Sequence, residues 1–108
     1  MTLEQFKILL ESISGFTGKV AYETFPLDRA PELPFICFVA PDSNNFAADG
    51  IVYHKAISIQ VELYSKYRDR VSEKLIEKKL TDNGIFYQWE NTYLDDEKCY
   101  MTIYRLEI

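Results

Sequence analysis

A chain of 108 residues, 47% hydrophobic and 27% charged, has the profile of one globular domain, which excludes a disordered or collagen-like polymer. Twelve basic against seventeen acidic residues leave a formal charge of −5, a poor balance for gripping nucleic acid, whose affinity comes mainly from Lys and Arg neutralising phosphates. Aromatic residues reach 15%, with eight Tyr, seven Phe and one Trp, and this favours strands and contacting surfaces over a helical bundle.

The first predicted element is a helix over 3–14. Thr2 and Gln5 form a capping box, and Leu3, Phe6, Leu9, Leu10 and Ile13 recur at helical spacing. Gly15 or Gly18 should end it. The opening segment lacks the basic-then-apolar pattern of a secretion signal and points to the cytosol. Residues 19–25 alternate loosely and read as a short strand. Three prolines within residues 26–34 forbid a regular element and make that stretch an extended connector. Phe35–Val39 is a continuous apolar run of strand length, expected to be buried on both faces.

Residues 41–50 are dense in turn formers and read as a long hairpin loop with Phe46 near its tip. An apolar ring on a polar loop suggests a contact surface. Residues 51–64 follow as one long strand. Ile57, Ile59, Val61 and Leu63 face one way; Ser58, Gln60 and Glu62 face the other. The second helix is expected over 66–82, capped by Asp69, with Val71, Leu75, Ile76 and Leu80 as its apolar arc and Gly84 after its end. Residues 66–79 carry six basic and three acidic groups. Their interleaving, with Arg70–Glu73 and Lys74–Glu77 at i,i+3, reads as a solvated, salt-bridged face rather than a nucleic-acid-binding helix. Residues 85–93 and 97–108 complete the set as two strands joined at Asp95-Asp96. The last strand is apolar on both faces and belongs inside a sheet or an interface. One domain over residues 1–108 follows, of α+β class: a mostly antiparallel sheet of about five strands with two helices packed on one face.

Chemistry-bearing patterns are sparse. Cys37 and Cys99 lie in apolar runs and read as buried, reduced thiols. His54 is the single histidine and reads as a surface or interface residue. No phosphate loop, dinucleotide fingerprint or zinc spacing occurs, so no cofactor and no catalytic or metal residue is expected. Asp95, Asp96 and Glu97 form the one acidic cluster in which a divalent metal is conceivable, but adjacent acids in a hairpin are usually turn formers. No apolar run reaches the length of about 20 residues that a membrane span requires.

A combination of segments goes further. Leu33-Pro34 precedes the apolar strand. Ser43-Asn44-Asn45-Phe46-Ala47-Ala48-Asp49-Gly50 leads into Val52-Tyr53. Val61-Glu62-Leu63-Tyr64-Ser65 precedes Lys66, Arg68-Asp69, Glu73, Ile76-Glu77 and Leu80. Tyr93, Asp96-Glu97-Lys98, Tyr100 and Ile103-Tyr104-Arg105-Leu106 close the chain. This resembles the tail-completion, or tail-terminator, proteins of long-tailed bacteriophages and prophages of Gram-positive bacteria, over residues from about 33 to 106. The resemblance implies a structural protein and not an enzyme. Its place would be the virion tail, at the head–tail junction, after assembly in the host cytoplasm. It would form a ring of six copies on the head-proximal end of the tail tube, stop tube growth and join the head connector or stopper protein. Its partners would be itself, the tube protein and the connector, with DNA only as passing cargo and no membrane. The candidate interface residues are Asn44, Asn45, Phe46, Asp49, Tyr53, Tyr93 and Tyr100. Two other classes stand beside it: a small metal-dependent nuclease using residues 95–97, and a dimeric protein-binding regulator.

Overall fold

The computed structural model describes residues 1–23, 31–43, 46–48, 51–54 and 56–108, with 46–48 and 51–54 described by their backbone alone. Its elements are α1 (Leu3–Glu11), β1 (Lys19–Tyr22), β2 (Phe35–Ser43), β3 (Phe46–Ala48), β4 (Ile51–His54), β5 (Ile57–Ser65), α2 (Arg70–Asp82), β6 (Tyr87–Leu94) and β7 (Cys99–Glu107). Five strands form one sheet in the order β1-β2-β5-β7-β6. β1 runs parallel to β2, and the remaining pairs are antiparallel. The domain is α+β, with a mostly antiparallel five-stranded sheet and two helices.

Strand position follows strand composition. The apolar strands β2 and β7 and the alternating β5 occupy the middle of the sheet, where the helix-facing side is buried and the other side partly so. The more polar β6, Tyr87-Gln-Trp-Glu-Asn-Thr-Tyr-Leu94, sits at an edge. The period-2 register then sorts the faces. Ile36 and Phe38 of β2, Ile59, Val61 and Leu63 of β5, and Tyr104 and Leu106 of β7 share the face that packs on Phe6 and Leu10 of α1, Ile13 just beyond it, and Ile76 and Leu80 of α2. Phe6 meets Phe38 edge-on at 5.5 Å.

The caps work as the sequence indicates. Thr2 Oγ1 accepts from the Gln5 backbone N–H at 3.1 Å, and the Thr2 N–H donates to Gln5 Oε1 at 2.9 Å. Asp69 caps α2 by accepting from the Ser72 backbone N–H at 3.0 Å. Because Asp69 is itself non-helical, α2 starts at Arg70, and residues 66–69 lie outside the helix expected over 66–82. Its far end is a Schellman turn. The Ile85 N–H donates to the Leu80 carbonyl and the Gly84 N–H to the Thr81 carbonyl, with Gly84 at φ +69°. α1 is shorter than expected, ending at Glu11 with Ser12 as its C-cap.

Three expectations about strands change. Residues 41–43 are not loop; they extend β2 and pair with β5 after a register shift between Val39 and Asp42. The strand expected over 51–64 is two strands. The β5–β7 edge closes with reciprocal bonds between Ile57 and Ile108, both 3.0 Å, and upstream of it Ile51–His54 pairs with Phe46–Ala48 in a separate two-stranded ribbon. Phe46 is therefore a strand residue in register with His54 of that ribbon, not a loop tip. β1 covers Lys19–Tyr22, and most of the proline-rich connector lies outside the described residues. Where β1 begins, Gly18 lets the backbone approach β2: a Cβ there would sit 2.3 Å from the Pro34 carbonyl oxygen.

Candidate interaction surface

Of the seven residues proposed for contact, the structure brings two together. Tyr93 and Tyr100 are opposite each other in the β6–β7 ladder, and their rings meet edge-to-face at 5.0 Å. Tyr93 remains 46% exposed and Tyr100 is half-buried. Asn44, Asn45 and Asp49 lie outside the described residues. Phe46 and Tyr53 are placed by backbone alone, on β3 and β4.

The strongest polar constellation is one that sequence reading missed. Glu73, expected on a solvated face, is fully buried, while Val71, expected in the apolar arc, is 73% exposed. Asp69 fixes where the helix begins, and that phase turns Ser72, Glu73, Ile76 and Leu80 inward. Four side chains make the burial of Glu73 tolerable. Arg70 Nη1 donates to its Oε1 at 2.6 Å, and Arg68 Nε to its Oε2 at 3.4 Å. Thr102 Oγ1 lies 3.2 Å from Oε2, and that hydroxyl accepts from Asn91 Nδ2 at 2.8 Å. A buried carboxylate held by charged donors in this way escapes the penalty of an unpaired one. The helical i,i+3 spacing of Arg70 and Glu73 was visible in the sequence; Thr102 and Asn91, on strands 29 residues and 18 residues further along, were not.

The same network organises an exposed patch. The guanidinium of Arg68 lies 5.0 Å from the centre of the Trp89 ring and that of Arg70 lies 5.7 Å from it. Trp89 is 46% exposed on β6. Next to it along the sheet, the Tyr104 hydroxyl donates to Glu77 Oε2 at 2.9 Å, so Glu77 is taken by the sheet and not by Lys74. Burial, followed by the hydrogen bond to Glu77 and that residue's charge, holds the Tyr104 phenol far above its ordinary pKa. Burial and Glu77 raise Tyr87 as well.

On the opposite face of the sheet, Glu62 accepts from Gln60 Nε2 at 2.8 Å and from the Tyr64 hydroxyl at 2.9 Å. Phe35 stacks on Tyr64 at 5.0 Å. Burial, then the Glu62 charge, pushes the Tyr64 phenol upward. Cys37 and Cys99 are buried on this face and not joined in a disulfide, and burial followed by the Glu97 charge raises the Cys99 thiol. Asp95, Asp96 and Glu97 form an exposed turn, and no group of three His, Cys, Asp or Glu side chains among the described residues is arranged to hold a metal. No described helix is long and apolar enough to cross a membrane.

The sheet has two dissimilar edges. β1 is four residues long and parallel to its neighbour, whereas β6 is eight residues long and antiparallel. Neither has a partner on its outer side among the described strands. Among the described residues, Phe86 just before β6 and Trp89 and Tyr93 on it are exposed rings, while the β1 edge carries Tyr22. No protein-family model matches the chain, and no curated protein shows significant similarity to it.

Proposed function

We propose that this protein is a structural subunit that closes the head-proximal end of a phage tail tube as a ring of six copies, stops its polymerisation and provides the surface to which the head connector joins. The observation that carries this reading is the pair of unlike sheet edges, one of them lined with Phe86, Trp89 and Tyr93. A tube of identical subunits exposes the same growing face after each addition, so nothing intrinsic ends it. A terminator must bind that face and present a different one, which requires a subunit with two unlike surfaces arranged head to tail. Exposed strand edges are a liability that natural proteins protect or use. Exposed Trp and Tyr are the residue types that anchor interfaces. The resemblance of residues 33–106 to tail-completion proteins supports the same role, and the −5 charge suits a conduit that lets DNA slide past.

Deleting the protein from its phage should leave filled heads and polymerised tubes that stay unjoined, the tubes irregular in length and often too long. Electron microscopy of the lysate reads this directly. Tails of normal length attached to heads would refute the role.

A further inference from the structure

We infer that the arginine pair on Trp89 is a carboxylate-docking site, and that its occupant is the acidic turn Asp95–Lys98 of a second copy of this chain. This deepens the ring reading and rests on it, since it names one contact through which neighbouring subunits meet.

The site is organised before any partner arrives. Glu73 holds one edge of each guanidinium from below, and the Trp89 ring lies against both. Arg68 keeps both terminal nitrogens, and Arg70 its Nη2, without a hydrogen-bond partner among the described residues. The two side chains remain 40% and 47% exposed. Planar guanidinium forks with spare N–H groups suit bidentate binding of a carboxylate, and fixing them in advance lowers the ordering cost of binding. Asp69, between the two arginines, does not compete. Its Oδ1 accepts from the Ser72 N–H and its Oδ2 from the Ser72 hydroxyl at 2.7 Å. Tyr67 and Val71, each 73% exposed, flank the arginines in sequence and supply apolar surface beside the charge. Trp, Tyr and Arg are the residue types that dominate interface energies.

The occupant follows from charge. Residues 66–74 carry four basic and two acidic groups, net +2, in a chain of net −5. The turn Asp95–Lys98 carries three acids and one Lys, net −2. All four of its residues are exposed, and the side chains of Asp95, Asp96 and Glu97 make no hydrogen bond or ion pair among the described residues. Two complementary patches at different places on one subunit make a heterologous contact, the kind that builds rings. The overall acidity and the neighbouring Glu73 and Glu77 disfavour nucleic acid as the occupant.

Charge-swapped full-length chains test the contact by sedimentation velocity at low ionic strength. Asp95→Lys/Asp96→Lys alters only exposed turn residues and should weaken self-association by roughly tenfold or more. Arg68→Glu/Arg70→Glu should do the same. An equimolar mixture of the two variants should associate again, because each site then meets a turn of opposite charge. Trp89→Ala should weaken association with both charges intact. Should Arg68→Glu/Arg70→Glu fail to fold, the turn variant and Trp89→Ala decide the matter alone. Assembly of the wild type that is unchanged by the turn substitutions overturns the contact and leaves the ring reading intact. A wild-type chain monomeric at every concentration overturns the contact, while the knockout phenotype judges the ring separately. Duplex DNA retained by the wild type and lost in Arg68→Glu/Arg70→Glu would reassign the arginines and also overturn it.

Discussion

The two helices solve the same problem differently. α1 buries what its pattern says it should: Phe6 and Leu10 face the sheet, Glu4 and Glu11 face water, and the capping box begins the helix where Thr2 and Gln5 place it. α2 buries a carboxylate, Glu73, beside Ile76 and Leu80, and leaves Val71 outside. The difference teaches that an apolar stripe is a sufficient signal only when the surface opposite it is apolar. α1 lies against β1 and the side of the sheet that carries Phe38. α2 lies over β7, where Thr102 and the Tyr104 hydroxyl present polar atoms. Such a surface is complemented by a hydrogen-bonding side chain, and a valine there would leave buried polar groups unpaired.

The sharpest break in this comparison should come from α1. Phe6 has no exposed surface and packs edge-on against Phe38, so Phe6→Ala removes a large buried ring and should cost about 3–5 kcal/mol of unfolding free energy in urea titrations. In α2 the largest effect should fall on a charged residue. Glu73→Ala strips Arg68, Arg70 and Thr102 of their shared acceptor. Both arginines retain access to water, so the loss should be smaller than for a fully buried pair, about 2 kcal/mol, with Glu73→Gln recovering roughly half of it. The same variant should also raise the accessibility of Trp89 to acrylamide quenching, because the guanidinium groups over it lose their anchor. The smallest effect should come from the residue whose apolarity is most misleading. Val71→Ala at an exposed first-turn position should change stability by no more than about 0.5 kcal/mol. A loss of 2 kcal/mol there would mean that Val71 is covered and that the two helices are more alike than their burial shows.

Local signals carried much of the architecture. The capping box, the Asp69 cap and Gly84 mark helix ends because the hydrogen bonds they satisfy lie within one turn of chain. The alternation through Ile57–Leu63 and the unbroken run at Phe35–Val39 mark strands and their burial because side-chain direction has period 2 along any extended chain. Those features determined an α+β domain with a mostly antiparallel sheet. Tyr93 and Tyr100 came from the resemblance and not from these patterns; the β6–β7 ladder places them opposite each other.

Tertiary structure decided the rest. Residues 51–64 look continuous, yet they divide between two sheets because pairing depends on which partner is within reach, and the β5–β7 ladder closes at Ile57 and Ile108. β1 joins β2 in parallel across the connector, a choice its four residues do not encode. Glu73 reads as a surface ion pair from its i,i+3 spacing to Arg70, and only the approach of Thr102, 29 residues later, turns it into a buried anchor for two arginines stacked on Trp89. The physical reason is common to all three. Sequence determines what each residue can do with its near neighbours, while burial and pairing are set by surfaces distant in the chain that meet only once the sheet has formed.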